Sequence, residues 1–495
     1  MNRRITLDEL KSYLWNSAVL LRTHIDAGSY KQYIFPLLFF KRISDVYDEE
    51  CVAVRAEYGD EEADFPENHR FSMPKGFHWR NVREVHENVG VAIVNAFRAI
   101  ERANAEKLSG VFGDGTWTNK NRLPDELLKN LIEHFSSLTL SLANCPEDEL
   151  GQGYEYLIRK FADDSGHTAQ EFYTNRTVVH LMTEMLAPES GESVYDPTCG
   201  SAGMLISAIA RLRERGKEWR NVRLFGQEIN ALTSAIARMN LFLHGVKDFQ
   251  IVNDDTLLAP AFIENGQLRR FDMIVANPPY SISQWNREAF AADKYGRNFL
   301  GTPPQGRADY AFFQHILKSL DPKTGRCAIL FPHGVLFRNE EAALREKLIA
   351  ADLVECVIGL GPNLFYNSPM ESCIVVCRTR KRPARRGLML IVNAVNEVTR
   401  KNAQSWLDDA HIRKIADAYK QYADVEGFAK VISVADAKKN GWSLSIPLYV
   451  RETAGGEVVD ARSAAECAAA WMEASFDMRT AYKDLKTMLE GERHE

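Results

Sequence analysis

The stretch Phe271-Asp-Met-Ile-Val-Ala-Asn-Pro-Pro-Tyr280 decides both the fold class and the place to look for a site. Its first half, Phe271 to Ala276, is an apolar run interrupted only by Asp272, and we expect a buried strand. Asn277-Pro278-Pro279-Tyr280 then ends that strand, because proline cannot donate to a sheet ladder and restricts the preceding residue. In open α/β sheets, ligands bind at the carboxyl ends of strands. The sequence therefore predicts a stiff loop that presents an amide, a carbonyl and an aromatic ring at that edge.

This loop has the groups needed to hold a planar amine. An exocyclic amino group is a weak nucleophile because its lone pair is delocalised into the ring. We expect the Asn277 side-chain oxygen and the Pro278 carbonyl to accept hydrogen bonds from the two N–H groups, which localises that pair. Tyr280 would stack on a base taken out of its duplex. An ordinary strand-ending Asn-Pro turn is the alternative, and the tetrapeptide alone does not decide between them.

The composition is that of a globular chain with room for several domains. It has 495 residues, 45% hydrophobic and 26% charged, with a formal net charge of −6. No run of about 18 apolar residues predicts a membrane span, and the first residues lack a signal-peptide core. We therefore expect a cytoplasmic protein. The negative net charge disfavours a free-standing DNA-binding chain, so nucleic-acid affinity would come from a local patch or a partner.

The eight cysteines are scattered along the chain and include no Cys-x-x-Cys pair. This pattern favours buried thiols in a reduced compartment and no metal site.

Three regions follow from the changing pattern. Residues 1–148 predict an all-helical domain, with a capping box at Thr6-x-x-Glu9 and a densely apolar segment from Tyr30 to Tyr47. Residues 149–447 alternate between strands and helices, which predicts an α/β domain with a doubly wound, mostly parallel sheet. Residues 448–495 predict a C-terminal helical tail with an apolar stripe, a candidate contact for a partner.

Three further loops of the α/β region carry candidate ligand-binding residues. Asp196-Pro-Thr-Cys-Gly-Ser-Ala-Gly203 follows the first predicted strand, and its Gly200, Ser201, Ala202 and Gly203 lead into a helix whose N–H groups face a ligand, with Ser201 as the expected cap. Glu228 ends the second strand, where a carboxylate accepts hydrogen bonds from ribose hydroxyls. Asp255 follows the third strand, where it would meet a purine amino group.

Each of these loops alone is more often a solvated turn, but their order on successive strand ends is specific. Together they predict an S-adenosylmethionine site beside an amino-group acceptor. Methyl transfer from a sulfonium requires mainly alignment of the reactants and polarisation of the amine, with neither a metal nor a covalent nucleophile. No Pro-Cys nucleophile stands beside a strand end, which argues against carbon-5 cytosine methylation.

Several segments resemble the methylation subunit of type I restriction–modification systems. They are Asp196 to Gly203, Asn277 to Tyr280, Gly153-Tyr-Glu-Tyr-Leu-Ile158, Glu171-Phe-Tyr-Thr-Asn-Arg176 with the apolar run after it, and Tyr30 to Asp45. The resemblance covers about residues 5 to 395. It implies the S-adenosylmethionine-dependent methyltransferase fold and a DNA methyltransferase acting on adenine N6. One departure is Asn175, where the family usually has proline, so that we expect a slightly looser loop there.

The resemblance also implies roles and partners. Asn277, Pro278, Pro279 and Tyr280 would hold the target adenine. The cofactor would contact Glu171, Phe172, Tyr173, Thr174, Asn175, Arg176, Ser201, Ala202, Gly203 and, through its ribose, Glu228. To these the strand-end loops described above add Asp196, Gly200 and Asp255. Two methylation subunits would associate with one specificity subunit, which reads the DNA sequence, and a motor-nuclease subunit would join for cleavage.

Two alternatives use the same acceptor chemistry. They are an N4-cytosine DNA methyltransferase and a protein-glutamine methyltransferase. A basic cluster, Arg378 to Arg386, is either a solvated loop or a phosphate contact.

Overall fold

The fold is that of a computed structural model of the 495-residue chain. The structure describes residues 4–164, 174–364, 371–401 and 404–451, together with 471, 472, 475, 478, 480 and 482. Met1–Val450 form one compact unit and Arg451–Glu495 a second. Among the described residues, no helix is both long and apolar enough to cross a lipid bilayer.

The first part of the chain is helical, as predicted. Its helices are α1 (Leu7–Leu21), α2 (Lys31–Tyr58), α3 (Trp79–Arg83), α4 (Val89–Ala103), α5 (Ala105–Leu108), α6 (Asp125–Ser136) and α7 (Glu147–Asp164). The predicted capping box begins α1, where Glu9 N donates to Thr6 Oγ1 at 3.3 Å and Thr6 N donates to Glu9 Oε2 at 3.0 Å. These two bonds satisfy N–H groups that the first helical turn leaves without partners.

Helix α2 is the centre of this helical core. Pro36 lies in its second turn, where the missing N–H removes one helical hydrogen bond. Burial of aromatic side chains offsets that loss, since Phe35, Phe39 and Phe40 are at most 1% exposed. Phe40 packs edge-on against Phe97 with ring centroids 5.7 Å apart. The apolar segment predicted from the sequence is therefore a buried helix inside a bundle.

The charged residues in the middle of α2 are structural. Lys41 and Asp45 form a buried ion pair, and Asp45 Oδ2 also accepts a hydrogen bond from Leu140 N at 2.6 Å. Arg42 Nη1 donates to the carbonyls of Ser141 at 2.9 Å and Cys145 at 2.7 Å. Burial of these charges is tolerated because each one is paired or hydrogen-bonded.

The second part of the chain is built on one large sheet. Its strands are β1 (Ser193–Asp196), β2 (Arg223–Glu228), β3 (Phe249–Asn253), β6 (Met273–Ala276), β7 (Arg326–Pro332), β8 (Val354–Leu360), β9 (Ser372–Arg378), β10 (Leu388–Ala394) and β13 (Ala429–Ser433). Across the described strands the order is β13-β10-β8-β9-β7-β6-β1-β2-β3. Only β9 and β13 run antiparallel to their neighbours. Two small hairpins stand apart, β4 (Ile263–Glu264) with β5 (Gln267–Leu268) and β11 (Thr399–Lys401) with β12 (Gln404–Trp406).

Helices cover both faces of this sheet. They are α8 (Arg176–Leu186), α9 (Gly203–Glu214), α10 (Ala231–Leu243), α11 (Arg287–Ala291), α12 (Asp309–Lys318), α13 (Ala342–Ala350), α14 (Asp409–Gln421) and α15 (Val434–Lys439). One core lies under α8, α9 and α14, and another lies on the opposite face under α12 and α13. The predicted doubly wound, mostly parallel α/β fold with an N-terminal helical region is therefore confirmed.

The helical region and the sheet region share part of one core. Ile236, Met239 and Leu243 of α10 belong to the same apolar cluster as α2, and so does Tyr154 of α7. Helix α7 begins at Glu147, next to the predicted boundary at residue 148, and most of its buried side chains join the helical core. The exact domain boundaries remain a prediction.

The strand before Asn277 is shorter than predicted, because β6 begins at Met273 and Phe271 makes only an isolated bridge to Leu320. The seven cysteines among the described residues are all buried. In the tail stripe, Trp471 and Tyr482 are helical and exposed, whereas Phe476, Leu485 and Leu489 lie outside the described residues.

The basic cluster Arg378 to Arg386 was expected to be either a solvated loop or a phosphate contact, but three of its six cations pair with acids of the fold instead. Arg378 and Arg385 pair with Glu355, which is 0% exposed, with N–O distances of 3.1 and 3.2 Å. Lys381 pairs with Asp352 at 2.5 Å and is itself buried. These three cations neutralise acids of the fold, whereas Arg380, Arg382 and Arg386 are exposed.

Glu355→Ala tests the structural role of this cluster. Removing the carboxylate leaves Arg378 and Arg385 without their buried counter-charge, and breaking a buried pair in this way costs about 3–5 kcal/mol of unfolding free energy. Urea denaturation measures the loss. The control Arg386→Ala changes an exposed cation and should stay within about 0.5 kcal/mol of the unchanged protein. Equal stability of the two variants would contradict the structural role.

Candidate active site

The topology places two loops side by side at the carboxyl edge of the sheet. Strands β1 and β6 are parallel neighbours, with Tyr195 paired to Ile274. The chain runs outward from β1 through β2 to β3 and then returns to the other side of β1 as β6. Such a reversal of strand order opens a crevice between the loops that follow the two central strands, and ligands bind there.

The loop after β1 is fixed by hydrogen bonds within itself and to β2. Asp196 is 2% exposed, and its Oδ1 accepts a hydrogen bond from Thr198 N at 3.0 Å. Cys199 N donates to the Gln227 carbonyl at 2.9 Å, which fixes the loop to β2. Burial raises the pKa of the Asp196 carboxyl to about 8. The fold therefore disfavours the ionised form of this carboxyl.

Helix α9 begins differently from the sequence-based expectation. Ala202, not Ser201, is its N-cap residue, with a left-handed backbone at φ 64°, and no side chain caps the helix. The expectation that Ser201 caps α9 is therefore wrong; its carbonyl instead accepts a hydrogen bond from Asn240 Nδ2 at 2.8 Å. The N-cap residue of α9 therefore supplies no side-chain hydrogen bond to the N–H groups of the first turn.

Arg176 occupies the space that Gly203 leaves open. A Cβ atom at Gly203 would lie 1.7 Å from Arg176 Nη1, so that any other residue type would displace this guanidinium. Glu155 of α7 holds the guanidinium in place, with Arg176 Nε donating at 3.1 Å and Nη2 at 2.5 Å. This ion pair connects the helical region to the loop after β1.

Asn175 is well held although it replaces a proline. Its Oδ1 caps α8 by accepting hydrogen bonds from Thr177 N at 3.0 Å and Thr177 Oγ1 at 2.8 Å. Its Nδ2 donates to the Ser405 carbonyl at 3.0 Å. These bonds hold the Asn175 side chain in place, and the looser loop expected from the missing proline stays a prediction. Glu171, Phe172 and Tyr173 lie outside the described residues.

Glu228 is the last residue of β2, and Ile229 follows it. Glu228 accepts hydrogen bonds from Gly200 N at 3.0 Å and Asn230 N at 2.9 Å, which ties β2 to the loop after β1. The next side chain, Ile229, is 68% exposed. This exposed isoleucine was not singled out from the sequence. Its only signal there is that one apolar residue stands between Glu228 and Asn230.

Asp255 is turned partly toward its own loop. Its Oδ1 accepts hydrogen bonds from Leu257 N at 2.8 Å and Leu258 N at 3.1 Å. The side chain is half-buried, whereas that of Asp254 is exposed. One oxygen of Asp255 is thus committed to the turn that follows β3.

The amide of Asn277 is fixed by a residue that precedes α8. Asn277 Nδ2 donates to Thr174 Oγ1 at 3.1 Å, and Asn277 Oδ1 is buried without a hydrogen-bond partner in the described part of the chain. Within the same part, no main-chain N–H donates to the Pro278 carbonyl. Pro279 is exposed and Tyr280 half-buried. A buried acceptor without a donor is rare in proteins and indicates a missing group.

The comparisons with known proteins agree with this geometry. Residues 146–457 match the family model described as N-6 DNA Methylase, and residues 10–135 match the HsdM N-terminal domain. The MjaVIII methylase subunit of a type I restriction enzyme from Methanocaldococcus jannaschii is 32% identical over 92% of this chain and 80% of its own length. The HindI methylase subunit from Haemophilus influenzae is 30% identical over 76% of this chain and 89% of its own.

A solved structure gives the same result for the fold. The type I restriction-modification methyltransferase subunit from Streptococcus thermophilus is 30% identical, with a TM-score of 0.80 over 90% of this chain and all of that one. Such enzymes use a methyl donor, and the family model is specific for N-6 methylation of DNA. The chain therefore belongs to the N-6 DNA methylase family, as an adenine-specific DNA methyltransferase of the type I restriction–modification methylase subunits.

Proposed function

We propose that Asn277 Oδ1 and the Pro278 carbonyl accept hydrogen bonds from the amino group of an adenine flipped out of DNA, on which Tyr280 stacks. The observation that supports this most directly is the buried Asn277 Oδ1, which has no donor among the described residues while Thr174 holds the other end of the same amide. Because a threonine hydroxyl both donates and accepts hydrogen bonds, Thr174 fixes the position of the amide, and we propose that the amide oxygen faces the crevice. A hydrogen-bond acceptor oriented in advance costs no reorganisation at the moment of reaction.

The two acceptors would act on the nucleophile directly. Each N–H group of the adenine amine donates to one oxygen, so that the nitrogen becomes more pyramidal and its lone pair localises on the side of the methyl donor. Pro278 and Pro279 contribute stiffness, since both have a fixed φ and neither has an N–H that competes for these oxygens. The methylated nitrogen is at first cationic with two N–H groups; it releases one proton to solvent water, and the remaining N–H donates to one of the two oxygens.

We infer that the methyl donor is S-adenosylmethionine, which supplies a methyl group already activated on a sulfonium. The residues of the crevice fit this molecule. The uncapped first turn of α9 suits its carboxylate, and the buried Asp196 carboxyl suits its positive charge. Glu228 ends β2 at this crevice, and we propose that its carboxylate accepts hydrogen bonds from the ribose hydroxyls. Exposed Ile229 would pack against the purine face, and Asp255 would accept from the purine amino group.

The remaining predicted cofactor contacts frame the same crevice. Arg176 and Gly203 fit against each other beside the loop after β1, and Gly200 and Ala202 give that loop its two left-handed turns, with φ of 51° and 64°. Glu171, Phe172 and Tyr173 are proposed as contacts from the resemblance of their segment. N4-cytosine and protein-glutamine methylation use similar chemistry, but the family assignment does not favour them.

We further propose that a separate specificity subunit selects the DNA sequence, with two copies of this chain bound to it and a motor-nuclease subunit joining for cleavage. The net charge of −6 and the loss of three cations of the basic cluster to buried acids support this, because few positive charges remain in that cluster for phosphates. The domain division at 1–148, 149–447 and 448–495 belongs to the same proposal, with the tail as a partner contact.

Asn277→Ala tests the acceptor proposal. Loss of the buried oxygen removes one of two groups that polarise the amine, so kcat for adenine methylation should fall by at least about 100-fold. Equilibrium binding of S-adenosylmethionine should not change. Labelled-methyl transfer to target DNA and calorimetric cofactor titration measure the two quantities, and unchanged methylation would contradict the proposal.

Matched variants separate the amide from its support. Thr174→Val removes the acceptor that orients Asn277 and should lower kcat about 3- to 10-fold, the range expected for one hydrogen bond. Thr174→Ser keeps the hydroxyl and should retain most activity. Asn440→Ala, at an exposed asparagine after α15, controls for the general effect of losing an amide.

Asp196→Asn should raise stability while it weakens cofactor binding. With the pKa raised to about 8 in the fold and near 3.9 in the unfolded chain, Asp196 lowers stability progressively as pH rises from about 4 to about 8. The neutral amide avoids this cost, so the gain in Tm should be larger at pH 8 than at pH 5. Thermal unfolding at both pH values, with and without S-adenosylmethionine, measures both effects. Asp60→Asn, at an exposed carboxylate, is the control.

The requirement for a specificity subunit is tested by reconstitution. The chain alone, with S-adenosylmethionine and genomic DNA, should give no methylation at a defined sequence. Addition of a specificity subunit should give N6-methyladenine at a two-part motif, mapped by modified-base sequencing. Methylation of a defined motif by the chain alone would overturn this part of the proposal.

A further inference from the structure

The loop that carries Asn277 has few ways to be held in place by its own backbone. Pro278 and Pro279 have no N–H groups, so the two central positions of the loop cannot donate hydrogen bonds. Ser281 directly follows the loop, and its main-chain N–H donates a hydrogen bond to a side chain. Its backbone is left-handed, with φ of 52°, which is uncommon for a residue other than glycine and persists only when the surroundings hold it.

Asp309 holds that residue. Ser281 N donates to Asp309 Oδ1 at 2.9 Å, and this is a charge-assisted bond to a residue that is only 1% exposed. Asp309 is the first residue of α12, 28 positions further along the chain. One main-chain bond, from Ala308 N to the Ile282 carbonyl at 3.1 Å, runs alongside it. The end of the acceptor loop is thus fastened to the start of a buried helix.

The carboxylate is itself fixed from the other side. Arg338 Nη1 donates to Asp309 Oδ2 at 2.9 Å and to both Glu341 oxygens at 3.2 Å. The Arg338 side chain is 13% exposed and that of Glu341 is 0% exposed. Arg338 comes from the segment after β7, which is the neighbour of β6 in the sheet. Asp309 therefore links the acceptor loop to the next strand's loop through a buried ion pair.

We propose that Asp309 is a positioning residue for methyl transfer, which acts through the Ser281 N–H to keep Asn277, Pro278 and Tyr280 in their reactive arrangement, with Arg338 orienting its carboxylate. This inference rests on the acceptor role proposed for Asn277. Asp309 does not touch the adenine. Its effect is geometric, and displacement of a reacting group by about 1 Å is enough to cost about 100-fold in rate.

A purely structural role is the alternative, because an aspartate in the first turn of a helix stabilises that helix through its N–H groups and dipole. Asp125 provides a matched control. It is the first residue of α6, and its carboxylate accepts hydrogen bonds from Asn88 N at 3.1 Å and Val89 N at 2.9 Å while Lys120 pairs with it at 3.1 Å. It therefore makes the same kind of link within the helical region, away from the acceptor loop.

The test uses the complex of this chain with its specificity subunit. Target DNA with 2-aminopurine at the methylated position reports base stacking through its fluorescence, and target DNA with adenine at that position reports turnover. Asp309→Ala should lower kcat about 10- to 100-fold, leave KM for S-adenosylmethionine within 2-fold, and change the fluorescence of the flipped 2-aminopurine, because Tyr280 no longer stacks on it. Asp309→Asn keeps an oxygen for the Ser281 N–H and should recover part of kcat. Asp125→Ala should lower Tm without changing kcat.

Each outcome bears on the proposal. The positioning proposal would be overturned if Asp309→Ala lowered only Tm, as Asp125→Ala is expected to do, and left kcat and the fluorescence unchanged. If Asp309→Ala does not fold, Asp309→Asn and Arg338→Lys decide: reduced kcat with unchanged cofactor KM supports positioning, and full kcat in both overturns it. Asn277→Ala in the same assay separates the two proposals. If that variant is active, the acceptor role is refuted. If it is inactive while the Asp309 variants are fully active, only the positioning role is refuted.

Discussion

The parallel pairing of β1 with β6 is the constraint on which the site depends. Because the chain leaves β1 in one direction and returns on its other side, the loops that begin at Asp196 and Asn277 emerge next to each other. Their contents are complementary, a glycine-rich turn into an uncapped helix on one side and a proline-stiffened amide loop on the other. A donor and an acceptor held in one crevice need little further chemistry from the protein, since alignment supplies much of the rate.

The charged residues of the chain divide into those that build the fold and those that serve the site. Lys41, Asp45 and Glu355 are buried in pairs and hold elements together. Asp196 is different, because burial raises its pKa and no cation among the described residues pairs with it. Natural proteins accept such local costs where function requires them. The acidic net charge is consistent with the proposal that a partner recognises the DNA sequence.

The sequence was sufficient for the elements whose signals are local. Strand-ending motifs at Asp196, Glu228 and Asn277 predicted the carboxyl edge of the sheet, and the capping box at Thr6 predicted the start of α1. Contacts between residues distant in the sequence were not predictable, because they depend on tertiary packing. The Thr174–Asn277 bond, the Arg176–Glu155 pair and the use of Arg378 and Arg385 against Glu355 belong to this class. Ser201 was assigned as a cap because its residue type favours that role, but the left-handed turn at Ala202 moved the helix start by one position.

The Glu155–Arg176 ion pair has a mechanical consequence. Helix α7 shares its apolar core with α2 and α10, yet its Glu155 grips the guanidinium that fills the gap beside Gly203. The helical region is therefore no detachable cover for the catalytic part. A displacement of that bundle, such as one imposed by a bound partner or by DNA, would move Glu155 and with it the guanidinium beside Gly203, next to the loop where we propose that the methyl donor binds. This ion pair would in that way couple assembly to cofactor binding.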